Sequence, residues 1–289
     1  MKFLDGLPAK RRLVVLGLLG ALAVLALYAV LFLKFQIYFI DDGWTTHYIY
    51  NSYKLGVDVD TLFRPQDSVM KHLVFGKTYY FTYGALMDVF GWTKGVTHAI
   101  SIAFLFLCVP VWYAACRRLD LPKALAWVTG GGLLLFPAFF SSANSARQDT
   151  MVLFFILLSF LCFVYGRYFL AGLIGMIGVE THLMGVVFLF YALAVMLYMH
   201  REFLADKKRL FRMLGWFALG GLAGVGYYFA LHQDFYQQYP LATLFEILGE
   251  RQHMGKLVSN YIFAYFFPGQ FWLYMPELLL VLSTLAVFL

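Results

Sequence analysis

Runs of about 20 apolar residues recur along this chain, and this recurrence limits its fold more than any other feature. A helix of that length crosses the hydrocarbon core of a bilayer, where every backbone polar group must be satisfied internally. The composition agrees, since 62% of the 289 residues are hydrophobic and only 13% are charged, whereas a soluble domain carries about 25% charged residues. The sequence therefore predicts an all-α, polytopic membrane bundle.

The hydropathy pattern predicts about eight transmembrane segments. They cover residues 13–33, 96–116, 124–140, 150–165, 169–179, 183–198, 213–231 and 272–289. The fifth is too short to cross alone, so we expect it to be tilted or to meet the sixth inside the membrane near Glu180-Thr181-His182. The last segment ends in apolar residues, and we expect a C-terminal truncation. Without an internal repeat, one domain over residues 1–289 is expected.

Lysine and arginine set the predicted orientation, because short cytoplasmic loops are enriched in them. If Lys10-Arg11-Arg12 is cytoplasmic, the basic residues around Arg118 and Lys208 fall in cytoplasmic loops too. The outer loops are then 40–95, 141–149 and 232–271. The formal net charge of +6 follows from this topology. It does not indicate nucleic-acid binding, since no basic block alternates with stacking aromatics outside these loops.

The first outer loop opens with two adjacent carboxylates, Asp41 and Asp42. Such a pair needs water or a cationic partner. The pair is either solvated at a helix end or part of a polar site, in which one carboxylate acts as a general base. The other then orients an acceptor or holds a divalent metal, although the sequence has no recognisable metal-ligand spacing. The loop ends in an amphipathic, aromatic stretch, 79–90, which predicts a helix lying at the membrane interface.

Further charged residues fall near the predicted outer surface. Arg147 and Asp149 stand where the fourth segment begins. They either pair, with Asp149 at the helix start, or leave Arg147 to bind an anionic headgroup. Glu180 and His182 form either a satisfied polar knot between short helices or part of a functional site. Lys77 precedes the interfacial stretch, where lysines commonly snorkel to the surface.

The order of these motifs resembles the GT-C superfamily of membrane glycosyltransferases, in particular its protein O-mannosyltransferase and aminoarabinose-transferase types and their bacterial relatives. The resemblance covers roughly residues 39–198. It rests on Asp41-Asp42 after the first span, Lys77-Thr78-Tyr79-Tyr80 before the interfacial stretch, Arg147-Gln148-Asp149 opening the fourth span, and Thr181-His182 followed by Gly185. Two prolines common in the family are replaced here by Thr78 and Gln148, and the chain is shorter than typical members.

The resemblance implies an inverting glycosyltransferase in a bacterial inner membrane, with its active site on the periplasmic face. The donor would be a sugar on a polyprenyl phosphate, and the acceptor a hydroxyl of a lipid, glycan or protein. Asp41 is the expected base and Asp42 its neighbour, with the reverse assignment open. The donor phosphate would be bound by cations, for which the candidates are Lys77, Arg147, Arg251 and Lys256. Asp149, Glu180 and His182 would support them.

Lys77 and Arg147 are therefore expected on one side of a cleft, with charges unpaired or only partly paired before the donor binds. The sequence indicates no definite cofactor, and it leaves open whether a divalent metal takes part. Two alternatives come from other classes of protein. In a transporter, ionisable residues would line a path through the membrane, and in a non-catalytic assembly subunit the outer loops would dock a partner.

Overall fold

The computed structural model describes residues 19–20, 22–24, 26–28, 30, 40–56, 76–145, 147–182, 185–186, 189, 194, 206–233 and 237, with the side chains of 40–44, 137–138 and 141 excepted. The chain divides into two units, Met1–Leu231 and His232–Leu289, and the helices below belong to the first. The predicted spans 13–33, 183–198 and 272–289 lie wholly or mostly outside the described residues. Arg251 and Lys256 lie outside them as well.

The described part of the chain is mostly helical and contains no β-strand, which confirms the all-α prediction there. Helix α1 passes directly into a short π-helix, and seven further α-helices follow. The elements are α1 (Ile40–Tyr50), the π-helix (Asn51–Leu55), α2 (Lys77–Phe90), α3 (Lys94–Arg118), α4 (Lys123–Leu135), α5 (Pro137–Ala143), α6 (Asp149–Val164), α7 (Tyr168–Thr181) and α8 (Lys207–Leu231).

Local sequence explains several helix boundaries. Thr93 caps α3 by accepting a hydrogen bond from the Val96 N–H, and Asp206 accepts one from the Arg209 N–H at the start of α8. Such caps satisfy amides that have no partner within the helix. The prediction of one helix over 124–140 was wrong. Pro137 restricts the residue before it and lacks an N–H, so α4 ends at Leu135 and α5 begins at Pro137.

Two helices, α3 and α8, are long and apolar enough to cross a bilayer by length and composition. Each has 25 residues, or about 37 Å at 1.5 Å per residue. Helices α4, α6 and α7 are apolar but shorter. The described residues therefore contain two candidate spans, where the hydropathy pattern predicts about eight over the whole chain.

Helix α6 lies at the centre of the packing. Its apolar residues contribute to three hydrophobic clusters at once, through Val152 and Phe160 to one, Met151 to the second and Leu153 to the third. A helix that is apolar on every face must be surrounded. Its one hydroxyl within this apolar stretch, Ser159, donates to the carbonyl of Ala171 at 2.7 Å, which ties α6 to α7.

Glycines bring α7 and α8 into backbone contact. A Cβ at Gly172 would collide with the Phe217 carbonyl, and a Cβ at Gly220 would collide with the Phe169 carbonyl. Gly224 likewise leaves no space beside Met176. Close approach through small residues four apart is typical of helix pairs in membranes, and it locks α7 against α8.

The predicted helix at 79–90 is present as α2, but its tyrosine face is covered by protein. Tyr79, Tyr80 and Tyr83 are fully or almost fully buried, with neighbours from α1, α3 and α6. Phe81 and Phe90 are exposed. The aromatic pattern therefore reflects packing between helices on one side of α2 and leaves the other side open. Its position at a membrane interface stays a prediction.

The glycine contact between α7 and α8 predicts opposite effects of the same substitution at two positions of α8. Gly220→Ala should destabilise the fold by about 1–3 kcal/mol, because the added methyl group overpacks the contact. Gly215 is exposed and has open space around it. Gly215→Ala should therefore stabilise the fold slightly, by about 0.5–1 kcal/mol. Thermal unfolding of both variants in detergent measures the difference, and equal effects would contradict this description of the contact.

Candidate functional site

Short turns between antiparallel helices bring several polar residues to one end of the bundle. The α6–α7 turn spans only three residues between Val164 and Tyr168, so α7 returns toward the start of α6. Hydrogen bonds and charge interactions connect the ends of α2, α6 and α7 there. We call these residues the end cluster: Lys77, Arg147, Asp149, Glu180 and His182.

Glu180 meets the N-terminus of α2. The Thr78 N–H donates to both carboxyl oxygens of Glu180, at 3.3 and 3.2 Å. The neighbouring Gly76 N–H donates to the Thr181 carbonyl at 3.2 Å. Lys77 and Glu180 are only 6% and 4% exposed. Negative charge is favourable at a helix N-terminus. Glu180 therefore caps α2, although it lies 102 positions after Thr78 in the chain. The contact joins α7 to α2, whereas the predicted polar knot with the sixth span, 183–198, falls mostly outside the described residues.

Arg147 and Asp149 form an ion pair at the start of α6. The distance from Arg147 Nε to Asp149 Oδ2 is 2.7 Å. The Ser142 hydroxyl of α5 donates to the same oxygen at 2.9 Å. The two charged side chains are 41% and 28% exposed. The sequence left open a pair with Asp149 or a guanidinium that is only partly paired, and the structure contains the pair in a partly exposed position. Arg147 and Asp149 are two positions apart in the chain, which is close enough for their side chains to pair.

His182 follows the last residue of α7 and interacts electrostatically with both Asp149 and Arg147. Burial lowers the pKa of its imidazole below the ordinary value, while Asp149 raises that pKa and Arg147 lowers it. Burial therefore favours the neutral form of the imidazole. The positive charge of the end cluster comes from Lys77 and Arg147.

A buried polar layer beneath Arg147 was not predicted. The Tyr83 hydroxyl of α2 and the Ser101 hydroxyl of α3 share a hydrogen bond of 2.8 Å. Ser101 also donates to the carbonyl of Arg147 at 3.4 Å. Further buried polar residues at this end of the helices are Thr97, His98, Asn144, Ser145, Gln148 and Thr150. Their signal in the sequence is Thr97, His98 and Ser101, which recur at helical spacing in an otherwise apolar span.

Asp41 and Asp42 lie in the first turn of α1, and their side chains are outside the described part of the structure. The rings of Tyr48 and Tyr80 are 4.8 Å apart, and Lys54 forms an ion pair with Asp88 further along both segments.

These contacts place α1 and its π-helix beside α2. Tyr53 meets Phe81 while Tyr50 meets Trp92, so the contacts do not follow one order along the two segments. A position of Asp41 and Asp42 near Lys77 stays a prediction.

Metal ligands are sparse around these residues. Within the described ranges, no group of three or more His, Cys, Asp or Glu side chains is arranged to hold a metal ion. A divalent ion at Asp41 and Asp42, which the sequence leaves open, falls on side chains that are not described.

Comparison with known proteins adds no assignment: no protein-family model, curated protein or solved structure matches this chain. The function is therefore argued from the end cluster and from the order of the sequence motifs.

The partial exposure of the Arg147–Asp149 pair leads to a prediction about stability. Exposed or half-exposed ion pairs contribute about 0–1 kcal/mol. Arg147→Ala should therefore lower the free energy of unfolding by no more than about 1 kcal/mol. Thermal or denaturant unfolding in detergent tests this value. A loss of several kcal/mol would mean that Arg147 has mainly a structural role.

Proposed function

We propose that this chain is a multi-pass membrane glycosyltransferase of the GT-C type. It transfers a sugar from a polyprenyl-phosphate donor to an acceptor hydroxyl at the outer face of a bacterial inner membrane. The observation that carries the proposal is the convergence of Lys77, Arg147, Asp149 and His182 at one end of an apolar helical bundle.

The distribution of charge along the helices supports the orientation. Basic residues gather at the opposite end of the bundle, at the end of α3, the start of α4, the α6–α7 turn and the start of α8. They are Arg117, Arg118, Lys123, Arg167, Lys207, Lys208 and Arg209. By the positive-inside rule that end is cytoplasmic. The end cluster is then on the outer side, where a lipid-linked donor and an acceptor can meet. The proposal includes the bundle of about eight spans predicted from hydropathy.

The reaction places distinct demands on the two kinds of charge. The acceptor oxygen attacks the anomeric carbon, the bond from that carbon to the phosphate oxygen breaks, and the configuration inverts. A carboxylate, Asp41 or Asp42, takes the proton of the acceptor hydroxyl. Lys77 and Arg147 stabilise the negative charge that develops on the leaving polyprenyl phosphate, and such electrostatic stabilisation is commonly the larger contribution.

The ion pair of Arg147 is compatible with this role. Because the pair is partly exposed and only weakly stabilising, a phosphate can replace Asp149 as the partner of the guanidinium. Asp149 keeps its hydrogen bond from Ser142 when this happens. The forked guanidinium suits a phosphate, which it can bind through two parallel hydrogen bonds.

A transporter is the main rival, because it too would place ionisable residues among apolar helices. The described charged residues gather at the two ends of the helices, however, and the apolar lengths of α3, α6 and α7 between those ends carry none. A path for a polar solute requires polar groups at mid-depth. This distribution favours chemistry at the surface.

The role of the carboxylates is tested by sugar transfer. Purified protein in detergent or liposomes is incubated with a panel of labelled polyprenyl-phosphate sugars and acceptors. Asp41→Asn should abolish transfer, because the amide keeps the shape and loses the basicity, and Asp42→Asn should impair it less. Asp120→Asn is the matched control, since Asp120 lies in the turn after α3 with a positive φ of 58° that Asn also tolerates. Near-normal turnover in both test variants would exclude a carboxylate base at this pair.

Binding of the donor phosphate tests the role of Arg147 separately. Arg147→Ala should weaken binding of undecaprenyl phosphate by about 1.5–3 kcal/mol, as expected for a lost hydrogen bond to a charged group. Arg147→Lys should recover only part of this, because an ammonium group lacks the forked contact. Isothermal titration with the solubilised lipid gives both values. Equal affinities for wild type and Arg147→Ala would remove Arg147 from the donor site.

A further inference from the structure

We propose that Glu180 and Tyr227 are positioning residues that hold Lys77 in the end cluster, and that they act on the donor phosphate only through Lys77. The contact with the donor rests on the proposed function. We call the contacts that hold the start of α2 the joint. They are the hydrogen bonds of Gly76 with Thr181, of Thr78 with Glu180 and of Thr78 with Tyr227. The joint can be tested without any substrate.

The backbone on both sides of Lys77 is fixed by α7. The first amides of a helix have no partners within it, and at the start of α2 two of them find partners in consecutive residues of another helix. The Gly76 N–H donates to the Thr181 carbonyl, and the Thr78 N–H donates to the Glu180 carboxyl group. Lys77 lies between these two bonded amides, so its Cα moves only if the joint opens.

The start of α2 packs tightly against the end of α7. A Cβ at Gly76 would collide with the backbone carbonyl of Glu180 and lie 2.7 Å from its Oε1. Lys77 and Glu180 are both buried, so water competes little for the hydrogen bonds between α2 and α7. Position 76 therefore requires glycine, because no side chain would fit between the backbone at the start of α2 and the backbone at the end of α7.

Tyr227 adds the third helix. Its hydroxyl shares a hydrogen bond of 2.8 Å with the Thr78 hydroxyl. Because α8 is locked against α7 through Gly172 and Gly220, the first turn of α2 is held by two helices that cannot slide past one another. Sequence reasoning did not identify Tyr227, since it lies in an apolar segment 149 residues from its partner.

These contacts separate Glu180 from the residues that would bind the donor. The carboxyl group of Glu180 accepts hydrogen bonds from the Thr78 N–H of α2, whereas the partner of Arg147 is a partly exposed side chain that a ligand can replace. Glu180 therefore acts by setting where Lys77 sits.

Two conservative variants test the joint. Glu180→Gln keeps the shape and removes the charge, and Tyr227→Phe removes one hydroxyl. Both should speed amide hydrogen exchange at residues 77–80. Both should also raise the KM for the polyprenyl-phosphate donor, by about tenfold for Glu180→Gln, with kcat and the acceptor KM nearly unchanged. Tyr28→Phe is the matched control, because it removes a buried hydrogen bond to the Leu134 carbonyl that lies outside the joint, and it should change neither measurement.

A double variant distinguishes positioning from a general loss of structure. In a Lys77→Gln background, Glu180→Gln should raise the donor KM no further, because the residue through which it acts is already gone. An additional increase there would overturn the proposal, as would unchanged exchange at residues 77–80 in both single variants. Faster exchange with an unchanged donor KM would also overturn it and leave Glu180 a helix cap. If wild-type protein uses no donor in the panel, the proposed function fails, and hydrogen exchange alone decides whether the joint exists.

Discussion

Helix α6 has no polar face, and the need to cover it on every side determines how the other helices are placed. Its side chains enter three separate hydrophobic clusters, to which the segment containing Tyr28 and helices α1–α5, α7 and α8 contribute. Because short turns connect α6 to α7 and α3 to α4, neighbours run antiparallel and their ends coincide. The turn between α6 and α7 thereby brings the polar residues at the start of α6 and at the end of α7 to one end of the bundle.

The contact of α7 with α8 turns this arrangement into a rigid frame. Backbone approaches backbone at Gly172 and Gly220, where any side chain would collide. In a membrane the hydrophobic effect does not drive helices together, so packing and hydrogen bonds must hold them. Because α7 packs closely against α8, the end of α7 has a fixed position. It can in turn hold the start of α2 through Glu180 and Thr181.

The sequence predicts the helices, which depend on local patterns, better than the contacts between residues that are far apart in the chain. The apolar runs predict α3, α6 and α7 within two residues at each end, whereas α8 begins six residues before its predicted span, at Lys207 instead of residue 213. Pro137 is a local signal for the break after α4, which the prediction of one helix over 124–140 did not take into account.

The amphipathic, aromatic stretch 79–90 predicts the helix that the structure contains as α2. Periodicity alone does not distinguish a face that meets lipid from one that meets protein. The contact of Thr78 with Glu180 has no local signature, because it depends on how α2 packs against a helix about a hundred residues away.

The two acids of the end cluster show why proximity in space does not give them the same role. Asp149 pairs with Arg147 in a partly exposed position, where an ion pair is worth little and its partner can be exchanged. Glu180 is buried and accepts from the Thr78 N–H of α2, which would be left unsatisfied if this partner were lost, at a cost of about 1–3 kcal/mol. An arriving anion can therefore displace Asp149 from its cation while Glu180 stays in place. Asp149 therefore has a partner that can be exchanged, whereas Glu180 holds the start of α2.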